Sequence, residues 1–345
     1  MGAYGLRTHI WNNFWKSGLL LAGFPLLLAL MAYGLALIFN DDPRGLEYAM
    51  RSSAARWPFF FAIACIGAAI WFAIAWVANQ KIIDGITGAR PVTRTEEPRL
   101  WNTLEALCIS RGITMPRLAV IETPQRNAFA SGLSRDKGAV TVTRGLLDAL
   151  DEAELRAVLA HELTHIRNGD ARLLVIAAVF SGVISLVAEM MFRGVRFRGG
   201  DRRGNGAAVI VGFLVVALAW GLTFLLRMAL SRRREFLADA GAVELTQDAD
   251  AMIAALRRIE GQSAMPAIPG QVRAMFLDDP PREGWFSSLT ATHPSIPTRV
   301  AALVQHAGGR DVVVAAPIGM AAAAPPWSGA AKPATAGNPW WRGKA

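Results

Sequence analysis

The residues best suited to chemistry are His161-Glu162-Leu163-Thr164-His165. Residues four apart lie one above the other on one helix face, so the two imidazoles can close on a single metal ion. His-Glu-x-x-His is a zinc-binding spacing, and Glu162 falls beside the metal's open position. A carboxylate there can take a proton from an attacking water, the nucleophile of peptide-bond hydrolysis in zinc proteases.

Such a site needs a third ligand. Zinc proteases with a downstream histidine require Gly and His where this chain has Asn168 and Ala171, so that class is excluded. A glutamate on a separate helix is the other solution, and Glu235 offers it. Asp239, four residues on, shares its face and can hydrogen-bond a ligand histidine, fixing the tautomer. A di-iron bundle would use Glu162 and His165 as Glu-x-x-His, but it needs a second copy that this chain lacks. A structural zinc would want four protein ligands, and no cysteine pair or further nearby histidine supplies them. Three ligands and an adjacent carboxylate describe a catalytic site holding one Zn2+ per subunit.

Several elements must position these groups. Asp151 and Glu154 form a capping box that starts the motif's helix, on which Val158, His161 and His165 make one inward stripe. Before it, Glu97–Ser110 has helical spacing, Leu118–Ile121 and Asn127–Leu133 read as strands, and Ser134–Gly138 as a turn. Ala139–Thr143 alternates apolar and polar, as a half-buried strand should. A helix over Ala249–Ile259 follows the third ligand, then a loop, then Thr292-His293-Pro294 leading into a helix with Arg299.

Of 345 residues, 53% are hydrophobic and only 18% charged, unusual for a soluble enzyme. The excess lies in four blocks, Gly18–Phe39, Pro58–Ala78, Leu173–Phe192 and Ala207–Leu230, each long enough to cross a bilayer as a helix. The first is too long for a cleaved signal peptide, and no small-residue cleavage site follows it. Glu189 and Arg227, in the second pair, read as snorkelling to their own interfaces rather than as an ion pair. Cys65 and Cys108 give no disulfide framework and read as reduced thiols of a cytoplasm-facing protein. The net charge of +9 comes without a nucleic-acid-reading motif, and many arginines flank the apolar blocks, so no nucleic-acid partner is expected.

An even number of crossings precedes each polar segment, so the N-terminus and both halves of the site share one side. Arg7, Lys16, Lys81, Arg90, Arg94 and Arg232–Arg234 put that side in the cytoplasm. Five arginines between the last two blocks favour the opposite topology, so full crossing by that second hairpin is left open. The expected order is a cytoplasmic segment 1–17, a transmembrane hairpin 18–78, and the first part of a catalytic domain 79–172. A second hairpin 173–230, the second part of that domain 231–314, and an Ala/Pro-rich disordered tail 315–345 complete it.

Taken together, these stretches resemble the HtpX family of membrane-bound zinc metalloproteases, relatives of the CAAX prenyl endopeptidases. The resemblance rests on Asn127-Ala128-Phe129-Ala130-Ser131-Gly132, on Ala157–His165 with Asn168-Gly169-Asp170, on Glu235-Phe236-Leu237-Ala238-Asp239, and on Thr292-His293-Pro294 before Arg299. It spans roughly residues 5–305. It implies an α+β, mainly α, zincin-type (Glu-zincin) domain with a small sheet on four transmembrane helices. The implied ligands are His161, His165 and Glu235, with Glu162 as general base and Asp239 behind them. It further implies that Asn127, Ala128, Phe129 and Ala130 form an edge strand pairing with extended substrate, Asn127 holding the substrate backbone. His293 becomes a candidate to steady the oxyanion, and Arg299 a structural residue. The implied role is degradation of misfolded membrane proteins at a bacterial cytoplasmic membrane, in quality control and stress response. A CAAX-type processing protease, which has more spans, stays an alternative. So does an inactive zinc-binding scaffold, which would have no need of Glu162. An intramembrane protease would bury the motif in an apolar span, whereas charged residues flank it here.

Overall fold

The computed structural model describes residues 6–40, 44–197, 206–279 and 293–311. The chain divides into Met1–Val312 and Val313–Ala345, so the expected tail, like Thr292, lies outside the described residues.

Apart from Phe39, the last residue of the first, each apolar block falls within one long helix: α1 (Leu6–Ile38), α2 (Leu46–Thr87), α6 (Asp170–Phe197) and α7 (Gly206–Thr246). Among the described residues, Gly206–Thr223 is long and apolar enough to cross a membrane, with mean hydropathy 2.2, and Gly23–Ile38 is a shorter apolar run. Phe24, Leu28 and Met31 of α1 pack with Ile184 of α6 and Val216 of α7. α1 and α7 approach through glycine: a Cβ on Gly212 would meet the Gly34 carbonyl oxygen at 2.7 Å. Other large apolar side chains point outward, Phe59, Ile63, Ile66, Ile70 and Ile74 on α2 and Ile210, Leu214 and Leu218 on α7.

Between the two helix pairs lie β1 (Arg90–Pro91), α3 (Pro98–Arg111), β2 (Arg117–Ile121), β3 (Ala128–Ser131), β4 (Ala139–Thr143), α4 (Arg144–Ala149) and α5 (Glu152–Asn168). After α7 come α8 (Ala249–Ile259), α9 (Gly270–Arg273) and α10 (Ile296–Ala307). The strands form one mixed sheet in the order β1-β2-β4-β3, with β2 and β4 parallel and β3 antiparallel at the edge. This is a mainly helical protein with a small sheet.

Strand alternation sorts the core. Leu118, Val120, Ala128, Ala130, Val140 and Val142 face a cluster built by α3, α5, α8 and α10. Ala119, Ile121 and Phe129 face the other way, onto Ile83 of α2, Leu174 of α6 and the stretch from Met265 to Phe276. The expectation of a half-buried β4 is thereby corrected: Thr141 and Thr143 are buried too, because both faces of the sheet are covered. Thr143 stays satisfied by bonding the Asn127 main chain, its hydroxyl accepting from N–H and donating to C=O.

Candidate metal centre

The helix that carries the motif is started and stopped by its sequence. Asp151 Oδ1 accepts the Glu154 N–H and Glu154 Oε2 accepts the Asp151 N–H, both at 2.9 Å, a complete capping box. Arg258 Nε of α8 donates to the other Glu154 oxygen. α5 ends at Gly169, whose φ of 74° is the left-handed conformation that favours glycine. That stop lets the chain turn back at once, so Asp170 opens α6 directly behind His165.

The third element arrives from far along the chain. Glu235 and Asp239 lie near the C-terminal end of α7, which crosses α5 at small residues. A Cβ on Gly241 would meet Thr164 Cγ2 at 2.4 Å, so only glycine permits this approach. The crossing places Glu235 Oε2 3.6 Å from His161 Nε2 and Oε1 3.7 Å from His165 Nε2. The two Nε2 atoms are 3.1 Å apart. Donor atoms held by one tetrahedral ion at zinc–ligand distances would be about 3.3–3.6 Å apart. The separations of 3.1, 3.6 and 3.7 Å bracket that range, so His161, His165 and Glu235 could together hold a metal ion.

The outer nitrogens define the tautomers. His161 Nδ1 lies 3.0 Å from Asp239 Oδ1, and His165 Nδ1 lies 3.3 Å from Asp170 Oδ2. Each ring thus offers its N–H to a carboxylate and turns its lone pair inward. Both carboxylates lean on buried arginines. Arg299 donates to Asp239 through Nε at 2.9 Å and Nη2 at 2.5 Å, and Arg234 Nε lies 3.3 Å from Asp170 Oδ1.

Burial alone would lower the His161 pKa, but the bonds to Asp239 and Glu235 outweigh it and raise it to about 9. Burial would likewise raise Glu235, yet His293 and His161 hold it well below the usual carboxylate value. Both shifts say that the cluster favours added positive charge, which a divalent cation supplies. Glu162 is different: burial raises its pKa despite the two histidines, and neither oxygen has a hydrogen-bond partner among the described residues. With both oxygens free of hydrogen bonds among the described residues, it is placed as a group that must trade protons should be.

The structure also brings in His293, buried with Nδ1 3.3 Å from Glu235 Oε1. Arg299 touches the third ligand as well, Nη1 lying 3.5 Å from Glu235 Oε2. Neither Asp170, quoted in Asn168-Gly169-Asp170 but given no role, nor Arg234, which precedes Glu235, was named as a functional residue.

Ala128, Phe129 and Ala130 form the edge strand β3, with Asn127 just before it. In this structure Asn127 meets the chain's own backbone. Its amide is buried and engaged by the chain's own backbone, Nδ2 donating to the Ser263 and Asp278 carbonyls and Oδ1 accepting from the Ala128 and Asp278 N–H groups. The outer edge of β3 is occupied too, by an antiparallel bridge between Phe129 and Phe276.

A model of peptidase family M48 matches residues 94–307. Over 317 residues the chain is 37% identical to a Protease HtpX homolog of Bacteroides fragilis, covering 87% of this chain and 98% of that one. A Protease HtpX homolog of Lactobacillus acidophilus is 33% identical over 306 residues, covering 86% and 98%. Among solved structures, the crystal structure of S. mikatae Ste24p aligns with a TM-score of 0.40 at 20% identity, covering 85% of this chain and 66% of that one.

Proposed function

From the premise that the chain belongs to peptidase family M48, as an HtpX-type metalloprotease, we propose that it is a zinc-dependent endopeptidase of a bacterial cytoplasmic membrane, acting on polypeptides in protein quality control. The observation that carries the reading is the convergence of His161, His165 and Glu235 ligand atoms within 4.8 Å beside the unbonded Glu162.

In this mechanism His161, His165 and Glu235 would hold the ion, which when bound would supply Lewis-acid polarisation of the scissile carbonyl. Asp239 and Asp170 keep both imidazole lone pairs on the ligand side. Glu162, its pKa raised by burial, accepts the proton of the attacking water and delivers it to the leaving amine. His293, beside Glu235, steadies the developing oxyanion.

Membrane residence is supported by the four long helices, by the apolar run Gly206–Thr223, and by the outward phenylalanine, isoleucines and leucines of α2 and α7, which water would disfavour. In this reading 18–78 and 173–230 are two hairpins, and 79–172 with 231–314 make the catalytic domain on the cytoplasmic side. Recognition through main chain, with little demand on sequence, suits a protease that clears misfolded membrane proteins.

The test is casein cleavage by detergent-purified, zinc-loaded protein beside Glu162→Gln. Cleavage by the parent that disappears in the variant, with zinc still bound, is the expected result. Equal inertness of both preparations despite bound zinc would favour a scaffold and overturn the reading.

A further inference from the structure

The outer edge of β3 is where an extended polypeptide would add as a strand, and the protein has already put a piece of itself there. We propose that Phe276–Asp278 is an internal stand-in for substrate: a polypeptide reaches the metal centre by displacing it from β3 and taking over its partners Ala128, Arg299 and Phe129. The proposal rests on the reading of the chain as a protease.

The contacts are those that strand addition uses. Leu277 N–H donates to the Ala128 carbonyl at 2.7 Å, and the Leu277 carbonyl accepts from Arg299 Nη1 at 2.8 Å. One residue on, the Asp278 carbonyl accepts from Asn127 Nδ2 at 2.7 Å, while its N–H faces Asn127 Oδ1 at 3.3 Å. Two consecutive residues are thus gripped by both main-chain polar groups, and none of these four bonds reads a side chain. Another polypeptide could satisfy the same donors and acceptors, so exchanging one strand for the other need not lose hydrogen bonds.

Arg299 ties this edge to the chemistry. The guanidinium that holds the Leu277 carbonyl also grips Asp239, behind ligand His161, and lies 3.5 Å from ligand Glu235. A strand in this place is therefore in register with the metal centre. Meanwhile His161, Glu162, Glu235 and His293 are all buried, so no peptide bond meets Glu162 until something moves. The segment bonded to the edge strand is the piece whose departure exposes the required acceptor.

The occupant's hold is short. It pairs with β3 through one bridge, whereas β4 pairs with β3 over four residues. Side chains secure the rest. Phe276 lies against Phe129 with ring centroids 4.7 Å apart, and Ser263 Oγ donates to Asp278 Oδ2 at 2.5 Å. Leu277 packs on the opposite face, in the cluster that includes α5, while Phe276 shares the face of Phe129. A displacing substrate therefore presents alternate residues likewise, one toward α5 and its neighbour onto Phe129. Phe129 should favour an aromatic or bulky apolar residue at that neighbouring position.

The deciding experiment is hydrogen–deuterium exchange on the full-length, zinc-loaded Glu162→Gln protein with and without casein. Bound casein should speed exchange of the Leu277 and Asp278 amides ~10-fold or more, while β3 stays protected. Unchanged or slower exchange at those two amides, with casein bound, would overturn the proposal. Phe276→Ala, which weakens the occupant, should raise kcat/KM for casein several-fold in the active enzyme. A fall in kcat/KM by a variant that keeps its zinc and its Tm would give the segment a supporting role and overturn the proposal too. Failure of the parent to cleave casein would instead strike the protease reading itself.

Discussion

The Nδ1 atom of His165 lies 3.3 Å from Oδ2 of Asp170, the residue that opens the helix after the motif. It is the counterpart of the contact between His161 and Asp239, and the two carboxylates hold both candidate ligand rings from behind. Removing such a partner lowers metal affinity by ~10–100-fold without removing a ligand. Asp170→Asn should therefore show that loss in a competition titration against a zinc chelator. Unchanged affinity would mean that the contact orients nothing.

Gly241 tests the approach of the third ligand. Its substitution by Ala places a Cβ 2.4 Å from Thr164 Cγ2, on the helix that carries both histidines. Overpacking of this kind costs ~1–3 kcal/mol. Gly241→Ala should lower Tm, and it should also reduce zinc stoichiometry, because Glu235 lies on the helix that is pushed away. Full zinc content in a destabilised variant would separate packing from ligand placement.

Asp278 carries a pH signature. Burial raises its pKa above the ordinary value, against the opposing hydrogen bond from Ser263. The folded protein therefore keeps this proton to higher pH than the unfolded chain. The stabilising term is complete below the unfolded value of about 3.9 and is lost as pH rises through the folded value. Asp278→Asn should accordingly gain Tm over the parent near neutral pH, a gain that shrinks to nothing in acid. A difference in Tm that does not vary with pH would contradict this.

Cys108 should be chemically silent in the native state. It is buried, and burial pushes its thiol up to about 11, leaving almost no thiolate at neutral pH. Maleimide should label Cys108 only after denaturation, as read by mass spectrometry of its peptide.

The parts of this molecule that were legible in its sequence are those written within a few residues. The capping box of Asp151 and Glu154, the strands near Leu118 and Ala139, and the spacing of His161 and His165 all depend on local chemistry and period. Glu235 could be named because a two-histidine motif demands a third donor. Arg299 was harder, since its bonds to Asp239 span sixty positions and its type gives no sign of where it points. Asn127 was harder still. Its amide closes on Ser263 and Asp278, 136 and 151 residues away, and an asparagine before a strand looks the same whether it holds a substrate or its own chain. The second covered face of the sheet escaped for a related reason: Thr141 and Thr143 look like a wet face until Met265–Phe276 is folded over them.

α7 is one continuous helix from Gly206 to Thr246, and Glu235 lies in its last third. Among the described residues, the candidate metal cluster draws His161 and His165 from before that helix and Glu235 from within it. A chain extending only as far as α6 thus lacks Glu235, and the three-donor cluster is complete only once α7 is packed against α5.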